Sequence, residues 1–169
     1  DSSPHPRLRH FIGGWQASAR ASMAILAPYA HSYVRLHRPD ASPASVEWGY
    51  DNRTAAFRVP HSDPANRRVE HRLPGGDANP YLSLALMLGA GLAGMQQQIE
   101  PGPEVSDRPA VSERGALPAD LSEALVELQA CPIMNEVFGA PFIELYNMIK
   151  QHELSEQAAD ADFAIKHLL

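Results

Sequence analysis

Five arginines and one carboxylate crowd the stretch from Glu47 to Tyr81, EWGYDNRTAAFRVPHSDPANRRVEHRLPGGDANPY. The arginines are Arg53, Arg58, Arg67, Arg68 and Arg72, and the carboxylate flanked by them is Glu70. Arg68, Glu70 and Arg72 fall at i, i+2 and i+4, so an extended chain turns all three to one face. The opposite face carries Val69, His71 and Leu73, only two of them clearly apolar. The run from Arg53 to Val59 reads as a second strand, with Ala55 and Phe57 on one side and Thr54, Ala56 and Arg58 on the other. Arg53 and Arg58 are an odd number of residues apart. A regular strand would separate their faces, and they converge only at a strand end or a bulge.

This is chemistry suited to a polyanion. Guanidinium forks grip phosphate and carboxylate oxygens two at a time and stay charged at any working pH. A carboxylate among them stays ionised and can hold a divalent metal that bridges phosphates. The same pattern also describes a solvated sheet face laced by salt bridges, each contributing under about 1 kcal/mol.

Charge is unevenly distributed. Residues 1–99 hold ten Arg and no Lys against seven acids, whereas residues 100–169 hold two Arg and two Lys against thirteen. The basic charge thus lies beside the comb, and the absence of lysine favours fixed forked recognition over loose attraction to a nucleic-acid backbone. No aromatic stacking platform accompanies the arginines, and an acidic second half repels phosphate, so no nucleic-acid partner is expected. The 169 residues suffice for one domain with a core, and 44% hydrophobic and 20% charged residues are ordinary for a globular chain. One cysteine, Cys131, excludes an internal disulfide framework and fits a reducing cytoplasm; it reads as an apolar filler. The chain opens Asp1-Ser2-Ser3-Pro4, without an initiator Met or a signal-peptide pattern, as an excised or processed piece would. The longest apolar run, Tyr81 to Met95, is too short and Gly-rich to span a membrane.

The elements that must carry the comb follow from periodicity. His10 to Leu26 places Phe11, Ile12, Trp15, Ala19, Met23 and Leu26 at helical spacing, and Pro28 ends it. Residues 28–43 loop. The link from Pro60 to Asn66 is turn-forming at nearly every position. Asn79 is a good N-cap with Pro80 at the first helical position. The helix from Tyr81 to Gln97 is apolar nearly all round, which predicts burial. Its Gly89, Gly91 and Gly94 predict close packing of another element, and Met87 and Met95 read as core. Residues 100–117 read as a long, partly disordered surface loop. Two helices follow. One carries Leu121, Leu125 and Leu128 on its inner face, and Pro132 breaks it. The other runs from Pro141 to about Glu156, with Phe142, Leu145, Tyr146 and Ile149 as its buried stripe and Lys150, Glu153 and Glu156 as its wet side. A last short helix is expected over Asp160–Leu169.

NRTAAFRVP followed by RRVEHRLPGGDANPYL resembles the catalytic core of the glutamine synthetase family, with its N-R-[ST]-A-[AS]-[FIV]-R-[IV]-P strand, its R-[IV]-E-x-R strand and its A-N-P-Y helix start. His10-Phe11-Ile12-Gly13-Gly14 is similar to the family's H-F-I-[AG]-G, and Ser32-Tyr33-Val34-Arg35-Leu36 to its N-S-Y-[KR]-R-[LF]. The resemblance covers most of residues 7–100 and, more loosely, the helical tail to about 158. It implies an α+β fragment, the C-terminal portion of such a catalytic domain across residues 1–169, with short antiparallel strands, packed helices and a helical tail. An N-terminal β-domain and the first half of the catalytic domain would be absent.

The resemblance further implies an ATP-dependent ligase that joins ammonia or an organic amine to the γ-carboxylate of glutamate through a γ-glutamyl phosphate. By matching position, Arg53 and Arg58 would bind the γ- and β-phosphates of ATP, and Arg68 the nucleotide phosphates or the transferring phosphoryl group. That makes Arg53 and Arg68 the implied catalytic pair. Glu70 would be one ligand of Mg²⁺ or Mn²⁺, and Arg72 with Arg35 would hold the amino acid's carboxylate. The family's metal histidine lies upstream of the first helix, outside this chain, so His10 reads as structural. Family enzymes form ring-shaped homo-oligomers in the cytoplasm, with a neighbouring subunit completing the site.

The sequence departs from the family pattern twice. His31 stands where the family has Asn, and Ala41 stands where ammonia-using enzymes carry a flap Glu, with Asp40 offset by one. Loss of that proton acceptor favours an organic amine, as in the γ-glutamylpolyamine and γ-glutamylamine synthetase branch. It also fits a non-catalytic relative used for assembly or ligand sensing, a reading that the intact arginines oppose. Half of the implied site is missing, so the 169 residues alone are expected to bind ATP poorly and to catalyse nothing.

Overall fold

The computed structural model describes residues 5–36, 43, 45–106 and 116–159. The first element, α1 (Pro6–Leu26), starts with His5 Nδ1 accepting from Arg7 N and Pro6 at the first position. It begins four residues before the expected start. After a 3₁₀ turn (Ala30–Arg35) come three short strands, β1 (Trp48–Tyr50), β2 (Phe57–Val59) and β3 (Glu70–His71), in the order β1-β2-β3. Four helices complete the described chain: α2 (Pro80–Gln96), α3 (Leu121–Ala130), α4 (Pro132–Phe138) and α5 (Ala140–Ala159). The architecture is α+β, as the sequence implies.

The β2–β3 pair is antiparallel, with Phe57 opposite His71 and Arg58 opposite Glu70. β1 and β2 run parallel, although only residues 51–56 connect them. Parallel neighbours ordinarily need a crossover of a dozen or more residues. Here two features fold the link tightly. Asp51 adopts a left-handed φ of 44°, a region Asp tolerates better than most side chains. Asn52 Oδ1 accepts from both Thr54 N (2.8 Å) and Thr54 Oγ1 (2.7 Å), which turns the chain back at once. The strand expected over Arg53–Val59 is therefore shortened to Phe57–Val59, and Arg53 belongs to the turn.

Helices α1 and α2 cross at glycine. A Cβ on Gly14 would lie 2.0 Å from Ala90 O, and one on Gly94 would lie 2.3 Å from His10 O. A Cβ on Gly91 would lie 2.2 Å from the Phe11 ring, so the glycines of α2 do accompany close packing. Trp15 of α1 reaches both layers. Its Nε1 donates to Met87 O (2.7 Å), while its ring meets Phe57 and His71 at 5.6 and 4.6 Å. Buried Gln16 links helix to sheet side, donating to Val46 O (2.9 Å) and accepting from Gly102 N (2.7 Å). The start of the expected loop is thereby fixed: Val105 N donates to Trp48 O at 3.0 Å, alongside β1. Residues 107–115 and 160–169, with the expected last helix, lie outside the described residues.

Three expectations change. α2 is not buried all round: Tyr81 is 82% exposed and Leu84, Leu88 and Leu92 are each at least half exposed. All-round apolarity says that a helix wants cover on every side, but α1 and α4 reach one side only. Pro132 ends α3 and starts α4, because its missing N–H costs nothing at a first helical position. Finally, α5 is rotated relative to the expected stripe. Ile143, Asn147 and Lys150 are buried, whereas Leu145 and Ile149 are exposed. Tyr146 Oη donates to Ala24 O (2.8 Å), and the Lys150 ammonium lies 4.5 Å from the Tyr29 ring centre and 2.8 Å from Glu153 Oε2. Those polar anchors, rather than apolar count, set the inward face.

Candidate functional site

The comb sits at the open edge of the small sheet. Arg58 and Glu70 are directly opposite on β2 and β3, and Arg58 Nη1 donates to Glu70 Oε2 at 2.9 Å. Arg68 is exposed and only loosely held, its Nη2 lying 3.5 Å from Glu70 Oε1. Arg72 leaves β3 on the other side of Glu70. Its backbone N donates to Ala56 O (2.8 Å), and its Nη1 donates to Arg53 O and to Ala55 O (3.3 Å). The Arg72 guanidinium therefore braces the turn that carries Arg53. Burial lowers its pKa from the usual arginine value, opposed by the Glu70 charge and reinforced by Arg58 and Arg53. Arg53, Arg58, Glu70 and Arg72 thus form one electrostatic cluster.

The wall behind the cluster is apolar, and His71 is part of it. Its ring stands between Trp15 (4.6 Å) and Phe57 (4.8 Å), and its Nδ1 is covered and without a partner. Although the residue as a whole retains some exposure, burial of the ring pushes its pKa down to about 3. His71 thus serves as the third anchor that the sequence pattern lacked, with Leu73 fully buried two positions further on.

One site residue is absent from the sequence reasoning. Asp51 Oδ1 accepts from Arg58 Nη2 (2.9 Å) and from His61 N (3.2 Å). The backbone contact from His61 is the largest influence and lowers the Asp51 pKa; desolvation opposes it, and the Arg58 guanidinium and the His61 charge lower it further. No strand or helix period links positions 51 and 58, because Asp51 lies in the turn; the only available signal was an acidic residue directly before Asn52-Arg53. Next to it, His61 stacks on Tyr50 with ring centres 5.3 Å apart.

Of the expected site residues, Arg53, Arg58, Arg68, Glu70 and Arg72 are gathered along this edge. Arg35 closes the 3₁₀ turn, and only its backbone is described. Arg38, Asp40 and Ala41 lie outside the described residues. His31, at the departure from the family's Asn, places Nε2 3.8 Å from Asp77 Oδ2 and stacks on Tyr29. His10 bonds Glu100 through Nε2 at 2.9 Å, a structural contact between α1 and the segment after α2. Among the described residues no cluster of three or more His, Cys, Asp or Glu is arranged to hold a metal ion. Glu70, paired with Arg58, supplies one ligand residue. A cleft of about 350 Å³ bordered by Tyr29, Asp77, Tyr146 and Lys150 includes none of the comb arginines.

An arginine-lined strand edge with one embedded carboxylate, backed by two crossing helices, defines a piece of an α+β domain. The family model for the glutamine synthetase catalytic domain matches residues 3–164, and the chain belongs to that family. Among its relatives is the gamma-glutamylethanolamide synthetase GlnA4 of Streptomyces coelicolor, 32% identical over 94% of this chain and 34% of its own length. The glutamine synthetase of Pyrococcus abyssi is 37% identical over 79% of this chain and 32% of its own. The gamma-glutamylputrescine synthetase PuuA of Escherichia coli is 34% identical over 88% of this chain and 32% of its own. Ligand-free GmaS superposes with a TM-score of 0.80 at 32% identity, over 92% of this chain and 36% of that one. The chain therefore spans about a third of the length of these relatives. No helix among the described residues is long and apolar enough to cross a membrane.

Proposed function

We propose that residues 1–169 are the C-terminal portion of a glutamine-synthetase-like catalytic domain, and that the whole protein is an ATP-dependent glutamate–amine ligase. The observation that carries this reading is the registered Arg58–Glu70 pair within the cluster of Arg53, Arg68 and Arg72. In the first step a γ-carboxylate oxygen of glutamate attacks the γ-phosphorus of ATP, giving γ-glutamyl phosphate and ADP. In the second, the amine nitrogen attacks the acyl carbon, phosphate leaves, and the nitrogen gives up a proton as the amide forms.

Arg53 and Arg58 fit the β- and γ-phosphates, and Arg68, weakly engaged and exposed, fits the transferring phosphoryl group. Such groups act by positioning and by neutralising charge. Arg72 and Arg35 are assigned to the substrate carboxylate. Arg72 has further N–H donors beyond the Nη1 that braces the turn. Glu70 is assigned as one ligand of Mg²⁺ or Mn²⁺. The described residues do not make a cation site by themselves, so its other ligands would come from elsewhere in the whole protein, and no step is routed through the metal.

Ala41 favours an organic amine over ammonia, and the relatives include proteins named for ethanolamide and putrescine products as well as glutamine synthetases. We place the whole protein in the cytoplasm as a ring-shaped homo-oligomer. The test is ATP-dependent phosphate release by the whole protein with glutamate and ammonium, putrescine, ethylamine, ethanolamine or spermidine. Release with one organic amine but not ammonium supports the reading. Release with ammonium reassigns the proton acceptor to Asp40 or another residue. Silence across the panel, with folded protein and metal supplied, favours the non-catalytic relative. For the isolated chain we expect weak nucleotide binding, and a titration showing tight, metal-dependent binding would overturn that.

A further inference from the structure

We infer that Asp51 is a positioning residue, which holds the Arg58 guanidinium in place for the nucleotide phosphates; this rests on the reading of Arg58 given above. Arg58 is gripped from two sides. Glu70 Oε2 takes Nη1 and Asp51 Oδ1 takes Nη2, both at 2.9 Å. Its Nε is covered and has no partner. A guanidinium has five N–H donors, so two carboxylate bonds and one covered N–H leave two for a ligand. With both Nη groups held, the plane of the guanidinium is fixed.

The carboxylate of Asp51 is itself fixed. Its residue occupies the left-handed region at φ 44°, its backbone N donates to Val59 O at 3.1 Å, and its Oδ1 also accepts from His61 N at 3.2 Å. Side chain and backbone thus tie the end of β1 to the end of β2 and to the segment after it. A left-handed non-glycine residue costs conformational energy, and such residues gather where the surrounding structure demands one placement. Glycine would form this turn with less strain. What aspartate adds is an acceptor aimed at Arg58.

Two substitutions separate the acceptor from the charge and from the backbone. Asp51→Asn tolerates the left-handed conformation and keeps an oxygen at Oδ1 for Arg58 and His61. Asp51→Gly keeps the turn and removes the acceptor. In the whole protein, measured by calorimetric titration with ADP and Mg²⁺ and by steady-state kinetics, Asp51→Gly should weaken nucleotide binding and raise the KM for ATP about tenfold, the effect of losing one hydrogen bond to a charged group. Its kcat should stay within about threefold. Asp51→Asn should stay within about threefold of the parent in all three quantities, and the melting temperature of both variants should be close to the parent's. In an Arg58→Ala background, Asp51→Gly should cause no further loss.

Nucleotide affinity unchanged in Asp51→Gly overturns the inference, as does equal loss in Asp51→Asn and Asp51→Gly, which would make charge rather than geometry the cause. Arg58→Ala tells the two failures apart. If it weakens nucleotide binding while Asp51→Gly does not, only Asp51 is misassigned. If it has no effect, the assignment of Arg58 to phosphate falls, and the inference with it.

Discussion

Arg58 and Glu70 face each other across the antiparallel β2–β3 pair and are joined by a 2.9 Å bond from Nη1 to Oε2. They stand twelve positions apart in the chain, and the turn-rich link from Pro60 to Asn66 brings them opposite. The pair is partly exposed at both ends, so its contribution to folding is small and its placement is what matters for chemistry.

Glu70→Gln should therefore separate stability from activity. The amide oxygen still accepts from Arg58, and the urea midpoint should move by an amount corresponding to about 1 kcal/mol or less. Phosphate release by the whole protein should fall about a hundredfold or more, the scale seen when one preorganised electrostatic group is lost. A melting curve and a turnover assay on the same preparation decide it; parallel losses would point to a structural role.

His71 makes folding pH-dependent. Its folded pKa of about 3 lies below the ordinary histidine value near 6.5. The unfolded chain therefore takes up the proton first, and stability is fully present above about pH 6.5 and declines toward pH 3. Across that window the loss is up to about 1.4 kcal/mol per pH unit. His71→Leu should flatten the stability profile between about pH 6.5 and 4.5, above the range in which most carboxylates titrate. Urea titrations at stepped pH measure this, and an unchanged slope in the variant would show that other groups dominate.

The α1–α2 crossing should not accept a methyl group. In Gly14→Ala the new carbon meets the Ala90 carbonyl oxygen 2.0 Å away, and backbone cannot yield as a side-chain end can. The expected cost is about 1–3 kcal/mol or more. Gly76→Ala is the control, since nothing lies within 4 Å of the added carbon there, and surface changes of that kind usually stay within about 0.5 kcal/mol. Denaturant midpoints compare the two directly.

Arg72→Lys should loosen the turn that presents Arg53. The Arg72 Nη1 donates to the carbonyls of Arg53 and Ala55, and a lysine ammonium cannot reproduce a planar fork. A loss of about 1 kcal/mol is expected, with faster amide exchange at Ala55 to Phe57, the far end of that turn. Exchange rates equal to the parent's would show that the backbone bonds hold the turn unaided.

Much of this was legible along the chain. The caps at Asn79-Pro80, the apolar spacing from Phe11 to Leu26 and the glycine crossing all follow from local propensity and period, which neighbours do not override here. The grouping of Arg68, Glu70 and Arg72 was legible as a run of alternating residues, although strand β3 itself covers only Glu70–His71. The order and spacing of the motifs also carried the family, which the match over residues 3–164 bears out.

What depended on contacts between distant segments was not legible. The strand expected from Arg53 became a turn because Asp51 and Asn52 reverse the chain. The inward face of α5 is set by Tyr146 and Lys150 finding Ala24 and Tyr29, partners that no helical period encodes. α2 looked buried because composition reports how much cover a helix needs, not which neighbours reach it. The sequence by itself determined the residue types of the site, their order and the faces they share. Only tertiary structure decided that His71 is a neutral wall, that Arg72 is a brace and that Asp51 holds Arg58, because each depends on which groups meet in space and how far water is kept from them.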